Sequence, residues 1–195
     1  MNFPLDLRFK ILAIAQQISV TDSMGRVVAY VKQKAFKLKE DVTIFGDEAQ
    51  TRPLYSIRAD RVIDFSAQYR IEDTSGRELG TVKRRGMRSF WRAQYEVHRG
   101  GQPVMTIQEE NPWVKVADGF LIEIPILNLL SGYLFHPAYK VTRVDTGALV
   151  MRARKQAAFL EGRFQVETLA AQSEDDERLA VLSILMTLLL ERARG

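Results

Sequence analysis

The last stretch of the chain, Leu179 to Leu190, reads Leu-Ala-Val-Leu-Ser-Ile-Leu-Met-Thr-Leu-Leu-Leu, with Ser183 and Thr187 as its polar breaks. Glu174, Asp175, Asp176 and Glu177 precede it, and Glu191, Arg192 and Arg194 follow it. These are helix signals. Ser173 is placed to cap the first turn, and Asp176, three residues on, suits a reciprocal cap. Acid at the start and arginine at the end complement the helix dipole. A helix is therefore predicted over 174–193. Ser183 and Thr187, four apart, are expected to return their hydroxyls to the preceding turn. A helix apolar nearly all round must be wrapped by protein on most sides. Its apolar run is short of the ~20 residues that cross a bilayer. The rest of the chain has to supply the wrapper.

That remainder carries a repeated hairpin. Ile18–Lys32 and Tyr69–Lys83 share one spacing, with Asp22 and Gly25 in the first copy matched by Asp73 and Gly76 in the second. Tyr95–Ile107, around Gly101, is a shorter copy, and Tyr139–Met151, around Gly147, a longer one. Apolar residues two apart mark strands with one buried face. Asp and Gly between them are turn chemistry. Asp22 and Asp73 also invite reading as an acid pair, but their place before the hairpin glycine assigns them to the turns. Further strands are read at 36–45, 53–59 and 113–116, and a last hairpin over 159–169. Met1 to Ala15 is compatible with strand or helix. Roughly 10–12 strands result, the spacing of an all-β sandwich or barrel. So many strands curl or close to remove their edges. A barrel of that size leaves an interior to fill, and the apolar helix fits it. The competing arrangement is a two-layer sandwich with the helix against one side. No Pro/Ser-rich linker divides the chain, so residues 1–195 are expected to form one domain.

Composition narrows the functional classes. With no cysteine there is no disulfide, thiolate metal site or Cys nucleophile, and the cytoplasm is the default location. The apolar run after Lys10 is too short for a signal peptide, and the run 120–135 is broken by Glu123, Pro125 and Gly132. The net charge of +4 is mildly basic and compatible with anionic lipid or nucleic acid.

The order of these elements resembles the tubby-like superfamily, and within it the LURP-one-related and phospholipid-scramblase-like branch. The resemblance is carried by the hairpins at Asp22–Gly25 and Asp73–Gly76, Leu54-Tyr-Ser-Ile-Arg58, Gly119-Phe120, and Phe164-x-Val166 ahead of the apolar helix. It implies a mainly β fold, a closed antiparallel barrel of about twelve strands around a central C-terminal helix. It also implies affinity for phosphoinositides, since tubby-like proteins bind them. Two scramblase features are missing from the sequence. There is no cysteine-rich acylation stretch, and Glu174–Glu177 lacks the ligand spacing and central Gly of a calcium loop.

Basic residues recur at corresponding places: Lys32 and Lys34 after the first hairpin, Lys83, Arg84, Arg85, Arg88 and Arg92 after the second, Arg152 and Arg154 after the fourth. Lys32, Lys34, Lys83, Arg84, Arg85, Arg88, Arg152 and Arg154 are the candidate anionic-headgroup ligands, forming a positive band if the hairpins align. The competing reading is a solvated outer face whose lysines also blunt strand edges. Phe90, Trp91 and Tyr95 interleave with Arg88 and Arg92 as a base-stacking surface would, although alternating strand aromatics more often pack cores. No catalytic residue, metal ligand set or cofactor motif emerges. His98 and His136 are the only histidines and are not spaced as ligands. Glu123 is the carboxylate most open to burial. The expected function is a non-enzymatic module for anionic phospholipid headgroups at a membrane surface, with a protein-interaction scaffold as the alternative. Leu185→Asp is expected to abolish cooperative folding, because a charge at the middle of an enclosed helix has no partner; an unchanged melting temperature would refute a central helix.

Overall fold

The computed structural model describes residues 1–10, 15–34, 41–60, 67–85, 94–110, 137–157 and 161–192. Twelve strands precede one long helix: β1 (Leu5–Lys10), β2 (Ala15–Thr21), β3 (Val27–Lys34), β4 (Asp41–Phe45), β5 (Pro53–Ala59), β6 (Gln68–Asp73), β7 (Glu78–Arg84), β8 (Gln94–Arg99), β9 (Gln102–Glu109), β10 (Ala138–Arg143), β11 (Leu149–Gln156), β12 (Glu161–Thr168) and α1 (Glu174–Arg192). Every strand pairs antiparallel with its sequence neighbours, and β1 pairs with β12 to close a barrel. The ambiguous N-terminal segment is thus a strand. The expected last hairpin is instead one continuous strand through Gly162, which lies opposite Phe9 of β1. The strand read at 113–116 and residues Phe90, Trp91, Glu123 and His136 lie outside the described residues.

Alternation sets the core. Leu7, Ile18, Val31, Ile57, Ile71, Val97, Ile107, Val141 and Val166 are buried and meet the helix from the barrel wall. Every residue of α1 from Leu179 to Leu190 is buried, which is possible only inside a closed wall. Each Leu, Ile or Val so enclosed stabilises the fold by roughly 1.5–3 kcal/mol.

The helix is not equidistant from the wall. It approaches β7 and β8 most closely. Leu179, Ser183, Thr187 and Glu191 form one row at intervals of four. Leu179 lies against Gly80 of β7, and Glu191 accepts the Tyr95 hydroxyl of β8 at 2.6 Å. Between these contacts the small Ser183 and Thr187 act as spacers that let helix and strands approach. Neither hydroxyl has a hydrogen-bond partner, so the expected return to the preceding turn is not made.

Because all strands are antiparallel, the barrel has two distinct ends. At one, here the turn end, lie the short connections at 22–26, 46–52, 74–77, 100–101 and 144–148 and the start of α1. At the opposite end the odd-numbered strands and α1 finish. The Asp-x-x-Gly turns behave as their sequence implies. Asp22 accepts the backbone N–H of Met24 and of Arg26 at 3.0 Å each, and Asp73 accepts those of Ser75 and Arg77. Gly25 and Gly76 supply φ of 76° and 82°.

The seam between β3 and β4 is the thinnest. Tyr30 and Phe45 form its single register pair among the described residues, whereas seven pairs join β2 to β3.

Two substitutions test the eccentric helix. A Cβ on Gly80 would stand 2.5 Å from the His98 carbonyl oxygen and 2.9 Å from Leu179 Cδ1. Gly80→Ala should therefore cost about 1–3 kcal/mol in denaturant unfolding. Ser183→Ala should stabilise by about 1 kcal/mol, since it removes a buried hydroxyl without a partner from a helix.

Candidate functional site

The charges of the two ends are organised differently. At the turn end, Arg26 is paired with Asp22, Arg77 with Asp73, and Arg178 with Glu174 and Asp175. Asp176 of α1 is held by Arg99 from the β8–β9 hairpin at 2.5 Å and by Arg143 from β10 at 3.0 Å. Arg143 also grips Asp145 at 2.8 Å. The backbone N–H of Asp176 donates to Ser173 Oγ, so the cap forms as expected. The Asp176 side chain also bridges two guanidiniums and ties α1 to the barrel rim.

At the opposite end lie cations that make no ion pair with any described residue: Lys10, Lys32, Lys83, Arg84, Arg154 and Lys155. The topology explains the placement. β1, β3, β7 and β11 all run toward this end, so residues late in each strand reach it. Lys32, Lys83 and Arg154 stand on the outer face and are exposed. Arg84 is different. It pairs across the sheet with inward-facing Tyr95, so it occupies the inner rim, as does Lys155 opposite Phe164.

The candidate ligands among the described residues do not stand side by side. β3, β7 and β11 are each separated by three intervening strands, so their basic residues stand at thirds of the circumference. Arg85 is engaged by Glu96 at 3.4 Å, and Arg152 donates twice to Glu110 Oε1, at 3.1 and 2.8 Å. The Lys34 side chain and all of Arg88 lie outside the described residues. Lys32, Lys83, Arg84 and Arg154 remain, with Lys83 and Arg84 adjacent in sequence. The outer wall between β4 and β7 carries a charge network instead: Asp41–Arg58–Glu72–Arg70–Glu78.

Within the barrel near this end is a polar group that the sequence reading did not identify. Glu109 is buried on the inward face of β9, in step with Met105 and Ile107. Strand alternation from those two residues is the signal that finds it. Burial first, and then the fields of Glu109 and Glu191, raise the Tyr139 phenol far above its ordinary range, so it stays neutral. Arg192, the last residue of α1, stacks on Phe9 with 5.3 Å from Cζ to the ring centroid, and burial depresses its pKa. Phe9 packs edge-on against Phe164, and Phe164 against Tyr139. His98 rests half-buried between Glu96 and the Gly101 carbonyl. No group of three or more His, Asp or Glu among the described residues is arranged to hold a metal ion.

The clamped carboxylates make the fold acid-sensitive. Burial opposes ionisation of Asp176, but hydrogen bonds from Arg99, Ser173 and Arg143 outweigh it and hold the carboxyl below its ordinary value. Asp73, bonded first by the Ser75 hydroxyl, is lowered from 3.8 to about 2, and Asp145, gripped by Arg143, likewise to about 2. A lowered folded pKa contributes stability above the unfolded value and loses it as pH falls through the folded one. The melting temperature should therefore fall between pH 3.8 and about 2, and Asp176→Asn should lower it at neutral pH while flattening that acid slope.

Comparison with known proteins places this geometry. Residues 27–186 match the LURP-one-related family. The X-ray structure of a protein from Arabidopsis thaliana superposes with a TM-score of 0.52 at 16% identity, covering 96% of this chain and 91% of that one. At that identity the likeness is one of fold. No curated protein matches the chain.

Proposed function

Because the chain belongs to the LURP-one-related family, with a barrel of the kind expected for tubby-like proteins, we propose that it is a non-enzymatic module that meets anionic phospholipid or phosphoinositide headgroups end-on. The contact surface in this reading is the end of the barrel opposite the turns, and attachment is peripheral, from the cytoplasmic side. One observation carries it. Among the described residues, Lys10, Lys32, Lys83, Arg84, Arg154 and Lys155 lie at that end without an ion-pair partner, while the arginines of the turn end are paired with aspartates and glutamates, Arg52 excepted, which donates to the Gly46 carbonyl.

Unpaired cations retain their full field for a ligand, and each near an anionic surface contributes about 1 kcal/mol. Lys32, Lys83, Arg84 and Arg154 are the ligands favoured by the geometry. Arg85 and Arg152 are subordinate, because a headgroup must compete with Glu96 and Glu110 for them. Lys34 and Arg88 stay in the proposal on sequence position alone. The cations are spread around a rim, which suits a plane of many headgroups better than one deep pocket. No described helix is long and apolar enough to cross a bilayer.

A second reading, a protein-interaction scaffold, is favoured by the wall from Asp41 to Glu78, where two arginines paired with three carboxylates leave the flank no positive field for a headgroup.

Co-sedimentation with phosphatidylcholine vesicles, with and without phosphatidylglycerol or phosphoinositide, tests the proposal. The protein should pellet only with the anionic vesicles, and less as salt rises. Lys83→Glu/Arg84→Glu should abolish pelleting, and Arg52→Glu at the turn end should leave it unchanged. Failure of the wild type to pellet at low salt would remove the lipid reading.

A further inference from the structure

The exposed large apolar side chains among the described residues are Met1, Met24, Val144 and Leu169. Isolated exposed apolar residues are ordinary and need no explanation. These are not scattered, since all four lie at the turn end. Met24 is in the β2–β3 turn, Met1 precedes β1, Leu169 follows β12, and Val144 is in the β10–β11 turn. In the barrel, β3, β2, β1, β12, β11 and β10 are consecutive neighbours, so the four form an arc along one half of the rim. Short contacts hold it in place. Asn2 donates to Met24 Sδ at 3.2 Å and accepts the Ser23 N–H on its carbonyl, while the N–H groups of Leu169 and Val144 bond the carbonyls of Val150 and Val104.

The twin hairpin shows that the turn itself does not call for an apolar residue. Met24 occupies the position that Ser75 occupies in the β6–β7 turn, and both backbones bond the preceding aspartate in the same way. Ser75 adds a hydroxyl bond to Asp73, whereas the Met24 side chain makes no bond to Asp22, its sulfur accepting from Asn2, and is 70% exposed. The flexible, polarizable side chain of methionine suits an adaptable contact surface.

The charges bordering the arc are mixed, with Arg26 beside Met24 paired to the buried Asp22 and the Met1 ammonium facing Glu177, but at the first turn of α1 carboxylates are in excess. Glu174 and Asp175, in the first turn of α1, have side chains 80% and 65% exposed, and the single Arg178 serves both. That turn is linked to the arc through Glu177, which faces the Met1 ammonium, and through Asp176, which is held by Arg143, the residue before Val144.

We propose that this apolar arc and the acidic turn beside it form a docking face for a basic amphipathic helix of a partner protein. Leucine-like anchors of such a helix would cover Met24, Leu169 and Val144, and its lysines or arginines would face Glu174 and Asp175. Exposed carboxylates disfavour an anionic bilayer here. The face is at the other end of the barrel from the headgroup site, so the molecule would hold a partner on one end while the other meets the membrane.

The test uses the full chain and a fluorescent amphipathic peptide of leucine and lysine, ~18 residues or five turns long, with a leucine–glutamate peptide as control. Anisotropy should show saturable binding of the lysine peptide alone. Met24→Glu/Val144→Glu and Glu174→Gln/Asp175→Asn should each weaken it at least tenfold, with cooperative thermal unfolding kept, while Lys83→Glu/Arg84→Glu binds as the wild type does. Absence of saturable binding by the wild type, or indifference to both turn-end variants, overturns the proposal. A concentration-dependent mass in sedimentation that Met24→Glu/Val144→Glu abolishes would make the occupant a second copy and overturn it too. Loss of anionic-vesicle pelleting in Met24→Glu/Val144→Glu, with pelleting kept in Lys83→Glu/Arg84→Glu, would make the arc a membrane face and refute both this inference and the headgroup assignment. Pelleting lost only in Lys83→Glu/Arg84→Glu leaves the two ends with separate roles.

Discussion

An α-helix buried on every side imposes a demand that few architectures meet. Its own backbone is satisfied internally, but its side chains need apolar partners through a full turn of 360°. One face of a sandwich covers only part of that circle. A closed sheet covers all of it and also leaves no unpaired edge. The run Leu179–Leu190 and the twelve strands are therefore one constraint seen from two sides. Removing the helix would leave an apolar lumen, and opening the wall would expose an apolar rod.

The helix also has to be registered along the axis, since apolar packing alone would permit it to slide. Directional contacts at its two ends fix the register. At the start, Asp176 is held by guanidiniums from two different hairpins; at the finish, Glu191 takes the Tyr95 hydroxyl and Arg192 lies on Phe9. Leu179 against Gly80 sets the approach between them. The polar groups of the interior are concentrated at the helix termini, where they act as stops, and the middle of the rod carries only two small hydroxyls.

Much of this was legible in the residues. Alternation with Asp and Gly between strands located the hairpins, and the all-round apolar run located the helix, because both signals are local and periodic. The candidate ligands were less legible. Whether Arg85 or Arg152 is available depends on Glu96 and Glu110, which come from other strands at distances set by register. Spacing within a strand assigns Lys32 to a face, but it does not tell how far around the circumference Lys83 will fall. Arg84 looked equivalent to its neighbours until its pairing with Tyr95 put it on the inner rim. Glu109 extends the inward set of Met105 and Ile107 by one step, a weaker signal than the continuous apolar stretch around Glu123. Where a hairpin is expected over 159–169, residues 161–168 form one strand, in which Gly162 makes room for Phe9 and Arg192.

Closure of a ring is as strong as its weakest join. Among the described residues, eleven joins of this barrel are multi-rung ladders, and the twelfth, between β3 and β4, is bridged at Tyr30 and Phe45. Beyond that rung the two strands are held from behind, β3 by β2 and β4 by β5, so each keeps its shape without the other. In a ring fastened this way the seam is the line along which parting would break the fewest backbone hydrogen bonds, since the other strands would stay one continuous sheet.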